Sequence, residues 1–200
     1  PSFTIISCLS QVLRKGATPR FVDADPVTWN LDVNQLEELI TSKTKLIIAP
    51  HIYGLPIDID VLLAIAAHYD IAVLEDAAES HGLLYKDQVC GSFGDLSTFS
   101  FYANKHVTTG EGGMIVTDND EFASKLKQLR NLNFRDGERF VSDDLGWNYR
   151  ISSLQAALGI SQVNRLADII IKRKKVGSFY QNALNGIQDI QLPLESTNYA

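Results

Sequence analysis

The sequence has few cysteines, no long apolar run and no excess of positive charge, and each shortage excludes a class of protein. Its only cysteines, Cys8 and Cys90, are too few and too far apart for a disulfide framework or a metal site. No stretch of eighteen apolar residues is present, so no membrane-spanning helix is predicted. The 18 lysines and arginines are outnumbered by 24 acidic residues, and a net charge of −6 argues against nucleic-acid binding. We therefore expect a reduced, cytoplasmic protein without membrane or nucleic-acid partners.

The pattern of apolar residues indicates an α/β fold. Buried strands are predicted at 44–50 and 71–75, and an amphipathic helix is predicted between them at 58–68. The same pattern predicts further helices at 5–13, 31–40, 119–132 and 152–184, and strands at 20–23, 96–102 and 114–116. Continuous apolar strands separated by helices are typical of a mostly parallel sheet with helices on both faces. Residues 133–149 are polar and predicted to be an irregular loop, of a length that is usually functional or mobile.

One stretch, 97–114, places a lysine at the end of a predicted strand. Lys105 follows an apolar, β-forming run, and a glycine-rich turn at 110–113 precedes the next apolar run. A lysine held at the end of a buried strand, with backbone room beside it, suits covalent chemistry with a carbonyl group. Without further context, a lysine such as Lys105 is far more often an ordinary surface loop lysine.

Polar side chains follow three of the predicted strands. In open α/β sheets, ligands bind at the carboxyl ends of the strands, so these side chains are expected to converge. The candidates are His51 and Tyr53 after the first strand, Glu75, Asp76, Glu79 and His81 after the second, and Ser100, Asn104 and Lys105 at or after the third.

Asp76 has two interpretations that the sequence leaves open. Its carboxylate is suited to pair with a cationic ring nitrogen, because the small residues Ala77 and Ala78 let a ligand approach closely. Alternatively, Asp76 caps a helix, with Glu79 three residues on as the partner of a capping box. A third role, the ribose-binding acid of a dinucleotide fold, is rejected because no glycine fingerprint precedes it.

An aspartate after one buried strand and a lysine after another, about thirty residues on, is the pair that pyridoxal phosphate uses. The lysine binds the cofactor covalently, and the carboxylate keeps the pyridine nitrogen protonated so that the ring can accept electrons. A hydroxyl such as that of Ser100 is suited to bind the phosphate.

Several motifs together resemble the DegT/DnrJ/EryC1/StrS family of sugar aminotransferases, which have the aspartate aminotransferase fold of fold type I pyridoxal phosphate enzymes. The motifs are Glu-Asp-Ala-Ala-Glu-Ser-His-Gly at 75–82, Gly-Ser-Phe-Gly-Asp at 91–95, Phe-Ser-Phe at 99–101, Asn-Lys at 104–105, Thr-Thr-Gly-Glu-Gly-Gly-Met at 108–114 and Gly-Trp-Asn-Tyr-Arg at 146–150. The resemblance covers essentially all 200 residues.

The resemblance implies a role for each matching residue. Lys105 would bind pyridoxal phosphate and carry the proton, Asp76 would face the pyridine nitrogen, Glu79 the ring hydroxyl and Ser100 the phosphate, and Asn148 would reach the cofactor phosphate of a partner subunit. It also implies a homodimer with shared active sites. The implied reaction moves an amino group from L-glutamate to a nucleotide-linked 4-keto-6-deoxy sugar.

The resemblance further implies a domain division. Residues 1–165 would form the cofactor-binding large domain without its N-terminal part, and 166–200 a connecting helix and the start of a small domain. A phosphate loop before Pro1 and most of the small domain would lie outside this sequence, so we expect these residues alone to hold cofactor poorly. Ile5 stands where many relatives carry an aromatic residue near the cofactor ring.

Two other functions stay open. Some relatives of the same fold are sugar dehydratases that carry histidine in place of the lysine, whereas this chain has Lys105 with His106 beside it. A non-catalytic relative that kept the fold for binding or regulation is the other alternative, and the presence of Asp76, Ser100 and Lys105 argues against it.

Overall fold

The computed structural model describes residues 1–135 and 137–197. In chain order, its helices are α1 (Ser7–Arg14), α2 (Leu36–Leu39), α3 (Ile59–His68), α4 (Asp120–Leu129), α5 (Ser153–Val163) and α6 (Leu166–Leu184). Its strands are β1 (Leu46–Pro50), β2 (Ala72–Asp76), β3 (Leu84–Tyr85), β4 (Gln88–Val89), β5 (Leu96–Ser100), β6 (Gly113–Val116), β7 (Phe134–Arg135) and β8 (Glu138–Ser142). None of the helices within these two ranges is both long and apolar enough to cross a membrane.

A four-stranded sheet with the order β1-β2-β5-β6 forms the centre of the fold. β1, β2 and β5 run parallel, and β6 is antiparallel to β5. Asp76 pairs with Thr98 in the register of β2 and β5, so both strands point their carboxyl ends to the same edge. The predicted α/β fold with a mostly parallel sheet is confirmed.

The core lies against one face of this sheet. Ile47 and Ala49 of β1 and Val73 of β2 are buried there, and α3 contributes Ile59 and Leu62. Asp58 caps α3 by accepting a hydrogen bond from the Val61 N–H, as expected for an aspartate at this position. Each fully buried aliphatic side chain contributes about 1.5–3 kcal/mol relative to leaving it exposed. The remaining buried members are Val22, Leu31, Leu36, Ile57, Ala66, Ile71, Tyr85 and Cys90.

The predicted strand at 20–23 is wrong. Its backbone makes one hydrogen bond to each of two different segments. The Ser2 N–H donates to Val22 O, and the Asp32 N–H donates to Asp23 O. The nearest extended pairing is an isolated bridge between Ala24 and Leu31. A β-forming composition alone did not provide the neighbouring strand that a ladder requires.

The predicted irregular loop at 133–149 is also wrong in part, because it contains the hairpin β7–β8. The rings of Phe134 and Phe140 contact each other edge to face across the hairpin, and Arg135 Nε lies 2.5 Å from Asp143 Oδ1. Every residue of β8 is exposed. Because neither face of the strand is buried, its sequence has no alternation of apolar and polar residues from which a strand could be predicted. Asp136 lies outside the described residues.

The predicted helix at 152–184 consists of two helices, α5 and α6, that are separated at Asn164 and Arg165. α5 begins with a capping box in which Ser152 and Gln155 bond each other's backbone N–H groups. The break falls at the domain boundary that the resemblance implied. The boundary itself stays a prediction, and residues 198–200 lie outside the described residues.

Candidate active site

Two of the predicted site residues occupy the same face of the sheet at its carboxyl edge. Asp76 is the last residue of β2, Ser100 is the last residue of β5, and the pairing of Asp76 with Thr98 places both side chains on one face. Their Cα atoms are about 8 Å apart, from the spacing of neighbouring strands and the rise of two residues. Both residues are half-buried. The edge of the sheet therefore holds a carboxylate and a hydroxyl side by side.

Lys105 follows β5 in a loop that folds back on the end of that strand. The Lys105 N–H donates to Tyr102 O, and the N–H groups of Phe101 and Thr109 bond Gly112 O and Phe101 O, respectively. The glycine turn therefore closes the loop that carries the lysine. The glycine turn thus has a structural role, in addition to the space beside the lysine that the sequence suggested.

The Lys105 amine pairs with Glu79. Its Nζ lies 3.3 Å from Glu79 Oε1, and the side chains are only 17% and 34% exposed. The second carboxylate oxygen of Glu79 accepts a hydrogen bond from the Tyr53 N–H at 2.9 Å. Tyr53 has a φ of 51°, in the left-handed region that non-glycine residues rarely adopt. Glu79 thus links a strained loop to the lysine that sequence analysis singled out.

Asp76 does not cap a helix, so that alternative is wrong. Its Oδ1 accepts the Ala78 N–H at 3.1 Å, within a turn, and no helix begins before Asp120 among the residues that follow. Glu79 does not complete a capping box, because its carboxylate faces Tyr53 and Lys105. Asp76 Oδ2 accepts a hydrogen bond from the Cys8 thiol at 3.0 Å, across 68 residues of sequence.

Asn148 is exposed and lies after the hairpin β7–β8. Its backbone forms an isolated bridge with Asn131, beyond the end of α4. None of its described contacts reaches the other four predicted site residues. Within one copy of the chain, no described contact joins Asn148 to the sheet edge.

Glu75 and His51 belong to the opposite face of the sheet and are removed from the candidate site. Both are almost fully buried, and His51 Nε2 donates to Glu75 Oε2 at 3.1 Å, while His51 Nδ1 accepts the Ile57 N–H. Glu75 also accepts hydrogen bonds from the N–H groups of Gly91, Phe93 and Gly94 and from the hydroxyl of Ser97.

These bonds make Glu75 a structural anchor. Burial alone would raise the pKa of Glu75, but the hydrogen bonds from His51 and the three backbone N–H groups lower it to about 2. A Cβ on Gly94 would lie 2.8 Å from Val73 O, which explains why glycine occupies this close approach. Glu75 therefore fixes the loop that leads into β5, and with it the position of Ser100.

His81, one of the strand-end candidates of the sequence analysis, is a buried residue. It is 8% exposed, its ring contacts Phe99, Phe101 and His106, and neither ring nitrogen has a hydrogen-bond partner among the described residues. Burial, together with the nearby charges of His106 and Lys105, lowers the pKa of His81 to about 4 from its ordinary 6.5.

This depressed pKa predicts a loss of stability in acid. Above pH 6.5 neither the folded nor the unfolded chain protonates His81, so the full stability is present. As the pH falls from 6.5 towards 4, the unfolded chain takes up the proton first, and stability decreases by up to about 1.4 kcal/mol per pH unit. Urea unfolding between pH 7.5 and 4.5 measures this dependence.

The matched variant for this prediction is His81→Phe, which keeps an aromatic ring against Phe99 and Phe101 but carries no titratable group. The unfolding free energy of the variant is expected to decrease less than that of the wild type over the same range. Equal pH dependence of the two proteins would show that His81 is protonated as readily when folded as when unfolded.

Comparison with known proteins identifies the family of the chain. A model of the DegT/DnrJ/EryC1/StrS aminotransferase family matches residues 1–199, and the chain belongs to this family. The chain is similar to the GDP-perosamine synthase of Caulobacter vibrioides, with 43% identity over 184 residues that cover 92% of this chain and 50% of the relative. The chain spans about half the length of the curated relatives it matches.

Two solved structures have the same architecture. DesV of S. venezuelae, in complex with a ketimine intermediate, has a TM-score of 0.92 and 32% identity over 100% of this chain and 54% of its own. The E. coli GDP-4-keto-6-deoxy-D-mannose-3-dehydratase with bound hydrated PLP has a TM-score of 0.91 and 27% identity over 100% of this chain and 56% of its own. The family resemblance and the fold type predicted from the sequence are confirmed.

Proposed function

We propose that the protein is a pyridoxal phosphate-dependent aminotransferase that moves an amino group from L-glutamate to a nucleotide-linked 4-keto-6-deoxy sugar. The observation that carries the proposal is the arrangement at one sheet edge. Asp76 and Ser100 share a face at the ends of neighbouring strands, and the half-buried Lys105 follows the second strand. GDP-4-keto-6-deoxymannose is the first candidate substrate, because a relative with 43% identity is named GDP-perosamine synthase. The product would then serve polysaccharide biosynthesis.

The donor set fits pyridoxal phosphate. This cofactor presents an aldehyde, a basic ring nitrogen, a ring hydroxyl and a phosphate, for which an amine, a carboxylate, a second polar group and a hydroxyl are suitable partners. Ala78, two residues after Asp76, is small and partly exposed, so its side chain does not crowd the sheet edge. When bound, the cofactor supplies an electron sink for the carbon that loses or gains the proton.

In this proposal the chain's own residues hold the reacting groups. Asp76 binds the ring nitrogen, Glu79 the ring hydroxyl and Ser100 the phosphate. Lys105 would hold the cofactor, and its amine would move a proton at the substrate carbon as base and then as acid. Glu79 Oε1 already accepts a hydrogen bond from the Lys105 amine, which keeps this amine directed into the site.

The proposal includes a homodimer and a cytoplasmic location. Asn148 has no described contact with the other four residues in one copy, and we assign it to the cofactor phosphate of the partner subunit. Residues 1–165 would then belong to the cofactor-binding domain, and 166–200 to a connecting helix and the start of a second domain. The two cysteines are both free, in keeping with a reducing compartment.

A sugar dehydratase is the second candidate, since a dehydratase has a TM-score of 0.91 against this chain. The fold therefore does not separate the two reactions. Lys105 favours amino transfer, because the family resemblance associates histidine at this position with loss of a hydroxyl group.

Two measurements on the complete protein test the proposal. Borohydride treatment of the cofactor-loaded protein is expected to fix the cofactor on the peptide that carries Lys105, as found by mass spectrometry. Incubation with glutamate and a panel of nucleotide keto-sugars is expected to yield an amino sugar and 2-oxoglutarate. Label on another lysine would contradict the site, and a deoxygenated product without nitrogen would favour the dehydratase.

A further inference from the structure

Cys8 contacts the acid that the proposed function places at the ring nitrogen. It is the second residue of α1, it is half-buried, and its Sγ lies 3.0 Å from Asp76 Oδ2. Thr4 Oγ1 lies 3.5 Å from the same sulfur. This contact ties the beginning of α1 to the end of β2.

The thiol is the donor in this contact. An ionised carboxylate only accepts hydrogen bonds, so the proton between Sγ and Oδ2 belongs to the thiol. Burial raises the pKa of Cys8 to about 11, and the neighbouring Asp76 carboxylate adds to this rise against an opposing hydrogen bond from Thr4. Cys8 therefore stays protonated and does not act as a thiolate nucleophile at neutral pH.

The two oxygens of Asp76 are each held by one donor. The Ala78 N–H holds Oδ1 at 3.1 Å, and the Cys8 thiol holds Oδ2 at 3.0 Å. A carboxylate oxygen accepts about two hydrogen bonds, so each oxygen keeps acceptor capacity for a further donor. A thiol is a weak donor and leaves most of the negative charge on the carboxylate. Orientation is thus fixed while the charge is preserved.

We propose that Cys8 is a positioning residue that orients the Asp76 carboxylate towards the protonated ring nitrogen of the cofactor. This inference rests on the proposed function, because it requires a cationic ring at Asp76. Cys8 contacts the carboxylate and not the reacting atoms. Its contribution is to cofactor affinity and to the pH range over which the ring nitrogen stays protonated.

The test compares Cys8→Ala with Cys8→Ser in the complete protein, by absorbance titration with pyridoxal phosphate and by the pH dependence of the bound cofactor's spectrum. The alanine variant loses the donor, and its cofactor affinity is expected to fall about tenfold, with ring deprotonation at lower pH. The serine variant keeps a donor and is expected to recover affinity to within about threefold of the wild type. Ser10→Ala is the matched control, since Ser10 lies in the same helix and bonds Ile6 O, away from Asp76.

The outcomes separate this inference from the proposed function. If the wild type binds no pyridoxal phosphate, the proposed function itself fails. If the wild type binds it and Cys8→Ala matches the wild type in affinity and spectrum, the positioning role is overturned. It is also overturned if Cys8→Ser loses as much as Cys8→Ala, because packing of the sulfur and not hydrogen bonding would then explain the effect.

Discussion

Lys105→Ala is expected to abolish amino transfer, with turnover falling by at least about 10³-fold. In the proposed function, the variant lacks both the covalent attachment point and the group that moves the proton at the substrate carbon, and acid–base catalysis alone is worth about 10²- to 10⁴-fold. The stability of the fold should change little, because the side chain has one described partner, Glu79, and lies in a loop. Formation of 2-oxoglutarate from glutamate measures the loss, and borohydride labelling should disappear with it.

Two variants control for charge and for general effects of removing a lysine. Lys105→Arg keeps a cation opposite Glu79 but cannot form the covalent link, so it is expected to be as inactive as Lys105→Ala. Lys86→Ala removes an exposed lysine that pairs with Asp60 and should retain full turnover. An active Lys105→Arg variant would contradict the assigned role, because a positive charge alone would then suffice.

The central sheet was predictable from the sequence, whereas the peripheral strands were not. β1 and β2 are short apolar runs and α3 between them has a helical repeat, so local pattern and tertiary environment agree. Strand β8 of the hairpin is exposed and carries charged residues. Since none of its residues is buried, the sequence there shows no alternation of apolar and polar residues. The run at 20–23 had a β-forming composition but no neighbouring strand to complete a ladder.

The part of the candidate site that lies at the ends of strands was predictable from the sequence. The order of strands and the positions of Asp76 and Ser100 predicted their convergence, and the register of β2 and β5 places both on one face. Grouping Glu75 with Asp76 ignored the alternation of side chains in a strand, which sends consecutive residues to opposite faces. That alternation was the signal that would have separated them.

Contacts between distant segments could not be predicted from strand order or from the alternation of side chains. The Cys8–Asp76 hydrogen bond and the Lys105–Glu79 pair join residues 68 and 26 positions apart, through turns whose geometry no local pattern specifies. The same holds for His81, because only the packed structure shows that its ring lies against Phe99 and Phe101 and that its nitrogens are buried without a partner among the described residues. In the proposed function, the first two of these contacts orient residues that hold the cofactor.

Asp76→Asn is expected to reduce turnover by about 10²- to 10³-fold without unfolding the protein. The asparagine oxygen can still accept the Ala78 N–H, so the turn after β2 has its hydrogen bond. In the proposed function, what is lost is the negative charge opposite the cationic ring nitrogen, and a 10²- to 10³-fold loss corresponds to about 3–4 kcal/mol of transition-state stabilisation. The loss should appear both in turnover and in a bound cofactor whose ring nitrogen deprotonates at lower pH.

Asp60→Asn is the matched control for this change, because Asp60 is an exposed aspartate that pairs with Lys86. Its turnover and cofactor spectrum are expected to equal those of the wild type. Thermal unfolding of Asp76→Asn near the wild-type temperature would assign the loss to chemistry and not to the fold. If instead Asp76→Asn binds the cofactor with an unchanged spectrum and full turnover, then Asp76 does not face the ring nitrogen, and its bonds to Cys8 and Ala78 serve the backbone alone.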